Sequence, residues 1–245
     1  GFHSVNWCIR SVEFNSQHAS CTFVLSDPHG SGGFPGNLEC EVTVRLDAAG
    51  ALTFEMHATP DRPTIINMTH HNYFNLSGDA ASGLNDHRFQ VFSHLITEVD
   101  SEGIPTGQWR DVSGSPLDYT QAKGLDLDAH ENGFSGVDHN YVFEREPGEQ
   151  AAPAVIRRAL AYSRASGITL EVSSNQPGMQ FYGGHYLAGT PARQGRTYAA
   201  HAAFCFEPQH FPDSPNHVHF PSTRFHPDRP YHYTMTYRTR IDQPI

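Results

Sequence analysis

Residues 39–56, ECEVTVRLDAAGALTFEM, decide the fold class. Val42, Val44 and Leu46 alternate with charged or polar neighbours, and after Asp47-Ala48-Ala49-Gly50 the alternation resumes at Leu52, Phe54 and Met56. A period of two places one row of side chains on each face of a strand, and an Asp/Gly-bounded break between two such rows makes a hairpin. Working outward, short alternating runs recur at 88–92, 168–173 and 231–238, the last with Tyr231, Tyr233, Met235 and Tyr237 on one face. Residues 154–162 fit a helix or a strand equally well. With 21 Gly and 17 Pro punctuating strand-like runs, the expectation is an all-β protein built as an antiparallel β-sandwich. There is no internal repeat or low-complexity tract, and 147–153 reads as a polar loop, so residues 1–245 are expected to form a single domain.

The formal charge is −10, with both signs interspersed. No basic stripe is available for phosphate contacts, so nucleic acid is not an expected partner. No apolar run reaches the length of a bilayer, and no charged-then-apolar leader precedes the first strand-like run; a soluble protein with no membrane partner is expected. Cys8, Cys21, Cys40 and Cys205 are far apart and form no Cys-x-x-Cys pair. Buried free thiols in a reducing, cytoplasmic compartment follow. The chain opens on Gly1, which fits processing, a boundary or a missing upstream part.

Three segments place an acid or base among aromatic and amide side chains: NMTHHNYFNLSG (67–78), GVDHNYVF (136–143) and FCFEPQHFPDSPN (204–216). Such mixtures suit a sugar, which presents apolar C–H faces and many hydroxyls. In extended backbone Thr69, His71 and Tyr73 share one side, and His70, Asn72 and Phe74 the other. Glu207 follows the apolar run 202–206 and precedes Pro208, which puts a carboxylate beside an apolar surface able to tune a base by partial desolvation.

These segments resemble the aldose 1-epimerase (galactose mutarotase) family. The family's Asn-x-Thr-Asn-His-x-Tyr-Phe-Asn-Leu pattern appears at 67–76 with His70 in place of Asn, its Phe-Asp-His-Asn as Val137-Asp138-His139-Asn140, its Gln-Pro-Gly-x-Gln-Phe-Tyr at 176–182, and its Leu-Glu-x-Gln-x-x-Pro-Asp at 206–213. Shorter matches lie at 33–38 and 104–107, so the likeness is collinear over essentially the whole chain. The resemblance implies a galactose mutarotase-like supersandwich and an isomerase that interconverts α and β anomers of a free aldohexose such as galactose or glucose. His71 would protonate the ring oxygen and Glu207 would take the proton of the C1 hydroxyl, the imidazole entering protonated and the carboxylate ionised. Asp138 and Gln180 would hold sugar hydroxyls, Asn72 and Tyr73 would shape the wall beside His71, and Phe181 would lie under the ring. No metal and no other cofactor is implied; oligomeric state and preferred aldose are left open. The family's His-Gly-Gly element lies just before a Gly-Phe-x-x-x-x-Trp stretch that residues 1–7 resemble, and a Gly-Arg-x-x-Asn element lies earlier still. Both are absent, and the expected sandwich lacks its N-terminal strands.

Other readings are a non-catalytic sugar-binding or regulatory module, a hexose 6-phosphate epimerase, disfavoured by the lack of a basic cluster near the motifs, and a metalloenzyme. The last would use His217 and His219 with His210 nearby, a pair at strand spacing with no third ligand at diagnostic distance.

Overall fold

The structure, a computed structural model, describes residues 1–78, 80–127, 130–131, 134–143 and 154–241, so the loop expected at 147–153 lies outside the described residues. The hairpin forms as strands Leu38–Asp47 and Ala51–Pro60, with Leu46 opposite Leu52. Gly50, at φ +79°, donates its N–H to the Asp47 carbonyl at 3.1 Å, and the Asp47 carboxylate accepts from the N–H groups of Ala49 and Ala51, each at 2.9 Å. The Ala51 bond above all holds the Asp47 carboxyl below its ordinary range. Phe54, Met56 and Ala58 are buried as their alternation requires, whereas Leu46 at the hairpin tip is half exposed.

Around this hairpin grows an eight-stranded antiparallel sheet in the order Cys8–Phe14, His18–Asp27, Leu38–Asp47, Ala51–Pro60, Tyr231–Ile241, Ile168–Ser174, Ile156–Ser163, His87–Val91. A second, five-stranded antiparallel sheet runs Cys205–Gln209, Gly178–Tyr182, Asp138–Val142, Leu95–Val99, Pro105–Asp111. Phe54, Met235 and Tyr237 from the first meet Met179, Phe181 and Phe206 from the second in one buried cluster. The described residues contain no α-helix, only short 3-10 turns. The ambiguous run resolves as strand Ile156–Ser163, hydrogen-bonded on both sides and buried on both faces from Arg158 onward. Its alternation is invisible because neither face meets water.

The four cysteines do not share the interior. Cys8 is exposed and Cys21 half-buried, so only Cys40 and Cys205 are the interior thiols foreseen for all four; all four are free. The edge strand Cys8–Phe14 pairs on one side only and leaves Ile9, Val12 and Phe14 largely in water.

Candidate active site

The small sheet aligns the chemistry. Asn140, Gln180 and Glu207 sit side by side on its three neighbouring strands, and Asp138, Tyr182 and Cys205 form the next row. Because side chains alternate, Phe181 and Phe206 point into the core while Gln180, Tyr182, Cys205 and Glu207 face the other way. Gln180 donates from Nε2 to Asp138 Oδ1 at 2.7 Å, fixing an amide and a carboxylate as one hydrogen-bonding unit.

The segment 67–76 is stitched over this face. Asn67 donates to the His210 carbonyl at 3.1 Å and accepts from the His210 N–H at 3.0 Å; Thr69 donates to the Pro208 carbonyl at 2.9 Å. Phe74 and Phe204 exchange both backbone bonds, at 2.8 and 2.9 Å. The buried Tyr231 hydroxyl donates to the Met68 carbonyl at 2.9 Å and accepts from Gln176 Nε2 at 2.7 Å, so the Gln of the Gln-Pro-Gly motif serves the scaffold. His71 is thereby set opposite Glu207, with Nε2 3.7 Å from Oε1. The imidazole is 51% exposed and the carboxylate 8%. One partner faces solvent and the other is walled in.

That burial, reinforced by the charge of Asp138, pushes the Glu207 carboxyl up to about 8. A protonated His71 at 3.7 Å would pull it back.

Tyr73 stacks on His71 with ring centroids 4.8 Å apart, and Asn72 is half-buried between them in the chain. Burial first, then the neighbouring anionic groups, raises the Tyr73 phenol, which stays neutral. Phe181 does not line the site: it is fully buried against Phe89, Tyr119 and Phe206, on the core side of its strand. The strand register turns residue 181 away from whatever 180 and 182 face. Tyr182, given no role by the sequence reading, is the aromatic that borders the pair, edge-on to His71 at 6.4 Å and to Tyr73 at 6.3 Å. Cys205 is more than a buried free thiol, because its Sγ lies 3.5 Å from His71 Nδ1. Period-two counting from Gln180 and Glu207 finds both.

His217 and His219 do not converge as ligands, because His217 Nε2 meets the Pro105 carbonyl and Asp213, and His219 Nε2 meets the Gly107 carbonyl at 2.5 Å. A cavity of about 430 Å³ bordered by Phe2, Phe34, Leu38 and Met68 lies away from His71 and Glu207 and holds no acid–base pair. Next to the site, Gly184 at φ +76° has no room for a side chain: a Cβ would fall 2.0 Å from the Ala203 carbonyl oxygen. Gly184→Ala is therefore expected to lower stability by about 1–3 kcal/mol through strained backbone and displacement of the 201–205 segment. Chemical denaturation measures it, and an unchanged midpoint would contradict this packing.

The sequence model of the family described as Aldose 1-epimerase matches residues 1–238. The chain is 34% identical to human galactose mutarotase over 244 residues, 98% of this chain and 67% of that protein. It is 33% identical to the aldose 1-epimerase of Escherichia coli K12 over 226 residues, 90% of this chain and 62% of that one. It thus spans about two thirds of the length of these relatives. Among solved structures, a GalM/aldose epimerase homologue from C. elegans superposes with a TM-score of 0.81 at 26% identity, covering 97% of this chain and 69% of that one. The galactose 1-epimerase of Lactobacillus acidophilus superposes with a TM-score of 0.79 at 24% identity, covering 97% and 67%, which shows the shared fold.

Proposed function

Because the chain belongs to the aldose 1-epimerase family, we propose that it interconverts the α and β anomers of a free aldohexose, galactose or glucose, by acid–base opening and closure of the pyranose ring. The observation that carries this reading is the His71–Glu207 pair, 3.7 Å apart at the meeting of segments far apart in sequence. Opening a hemiacetal needs a proton delivered to the ring oxygen and another removed from the C1 hydroxyl. His71 delivers the first and Glu207 removes the second. The open aldehyde turns about C1–C2, and closure on its other face, with proton roles exchanged, gives the opposite anomer. Asp138 and Gln180, already bonded to each other, offer acceptors and donors to sugar hydroxyls, while Tyr73 and Tyr182 supply apolar walls. The four free cysteines support a reducing, cytoplasmic setting.

The pair must enter the reaction holding one proton, and the two ways of placing that proton are kinetically equivalent. Activity therefore requires the singly protonated pair. The upper limit of that state is set by the carboxyl raised to about 8, so kcat/KM is expected to be bell-shaped, with an alkaline limb falling near pH 8. Polarimetry on freshly dissolved α-glucose and α-galactose, corrected for spontaneous mutarotation at each pH, tests function and profile together. A rate no faster than the spontaneous one at every pH would dismiss the function; a catalysed rate still climbing at pH 9 would dismiss the proton assignment.

A further inference from the structure

The acid–base reading leaves one buried group at its centre unused. Cys205 and Glu207 are two positions apart on one strand and so project from the same face, and His71 lies over both, 3.5 Å from the thiol through Nδ1 and 3.7 Å from the carboxylate through Nε2. One ligand atom from each of these three residues lies within 4.8 Å of the others, the one such trio of His, Cys, Asp or Glu among the described residues. Ligand atoms around a tetrahedral Zn²⁺ stand roughly 3.3–3.6 Å apart, and only one imidazole nitrogen can bind the ion, so closing the trio takes a turn of the half-exposed His71 ring together with a shift on the order of 1 Å. Asp138 adds negative charge within electrostatic reach of both Cys205 and Glu207. The half-exposed imidazole leaves an entry path from solvent.

We propose that His71, Cys205 and Glu207 form a binding site for one thiophilic divalent cation of the Zn²⁺ type, and that its occupation takes the acid–base pair out of use. The donor set names the class. A thiolate with an imidazole and a carboxylate selects Zn²⁺ or Co²⁺ over Mg²⁺ and Ca²⁺, which want oxygen ligands only. Binding displaces two protons to solvent, that of the thiol and the one held by the His71–Glu207 pair, leaves the metal three protein ligands and one open position for water, and occupies the lone pairs that the sugar protons would need. The blockade rests on the mutarotase reading; the cation site itself does not.

Titration of the full chain with Co²⁺, followed by displacement with Zn²⁺, tests the site without an activity assay. One equivalent is expected to produce thiolate-to-cobalt charge-transfer absorption, which Zn²⁺ abolishes and Mg²⁺ does not. Cys205→Ser should remove that absorption and weaken binding by more than the ~10- to 100-fold typical of losing even an outer partner of a metal ligand. Glu207→Gln should also weaken it, and Cys8→Ser, which alters the exposed thiol, should leave it intact. Absence of the absorption in the unmodified chain, or its persistence in Cys205→Ser, would overturn the site. Full mutarotation by the one-equivalent Zn²⁺ form would overturn the blockade. A metal-free chain without mutarotation would refute the functional reading alone, with the cobalt spectrum still deciding the site.

Discussion

Glu207→Gln is expected to remove most mutarotation and at the same time to make the protein more stable at neutral and alkaline pH. The first half follows from the loss of a positioned base, typically ~100- to 10,000-fold in rate, and His71→Asn should cost a similar factor. The second half follows from linkage. Burial, helped by Asp138, raises the Glu207 carboxyl from the ordinary 4.5 to about 8 in the folded protein. A raised carboxyl means that the folded state binds the proton more tightly than the unfolded chain does. The stabilisation is complete below about pH 4.5, and from there to about pH 8 the folded state loses ground as the unfolded chain ionises first. Above that the penalty is constant. At ~1.4 kcal/mol for each tenfold difference in proton affinity it amounts to a few kcal/mol, and a neutral amide of the same shape escapes it. Denaturant midpoints of the two proteins at pH 4, 7 and 9 provide the check: they should lie close together at pH 4 and separate in favour of Glu207→Gln as pH rises. Equal midpoints at pH 9 would mean that the carboxylate is not held in the apolar setting described.

Phe181→Ala is expected to cost about 3–5 kcal/mol in stability, because a fully buried ring at the junction of Phe89, Tyr119 and Phe206 leaves a cavity that two sheets cannot close. A residue lying under bound sugar would behave oppositely, raising KM with little change in folding. Urea unfolding combined with KM for the folded fraction separates the two. A stable variant with a raised KM would return Phe181 to the substrate side.

The sequence disclosed the β architecture because its defining hairpin is amphipathic, with Phe54 and Met56 turned inward against Glu55 and His57. It disclosed less at Ile156–Ser163, where burial on both faces erases alternation. The catalytic candidates were legible as motifs, and the structure adds the stitching that brings them together: Asn67 to His210, Thr69 to Pro208, Phe74 to Phe204. Motif membership misled at Phe181, since neighbouring letters of a strand motif belong to opposite faces, and it passed over Tyr182 and Cys205, which the same rule brings to the site. The raised Glu207 carboxyl could not be read from residue types, because it depends on how deeply that side chain is enclosed.

The hydroxyl of Tyr231 clamps the backbone of Met68 across a sequence separation of 163, three residues ahead of the His71 imidazole. The hairpin at 38–60 forms from contacts close in sequence, whereas the His71–Glu207 site needs strand Tyr231–Ile241 seated between two strands made earlier. Recovery of anomerase activity is therefore expected to trail the recovery of β-sheet circular dichroism when the denatured chain is returned to native buffer.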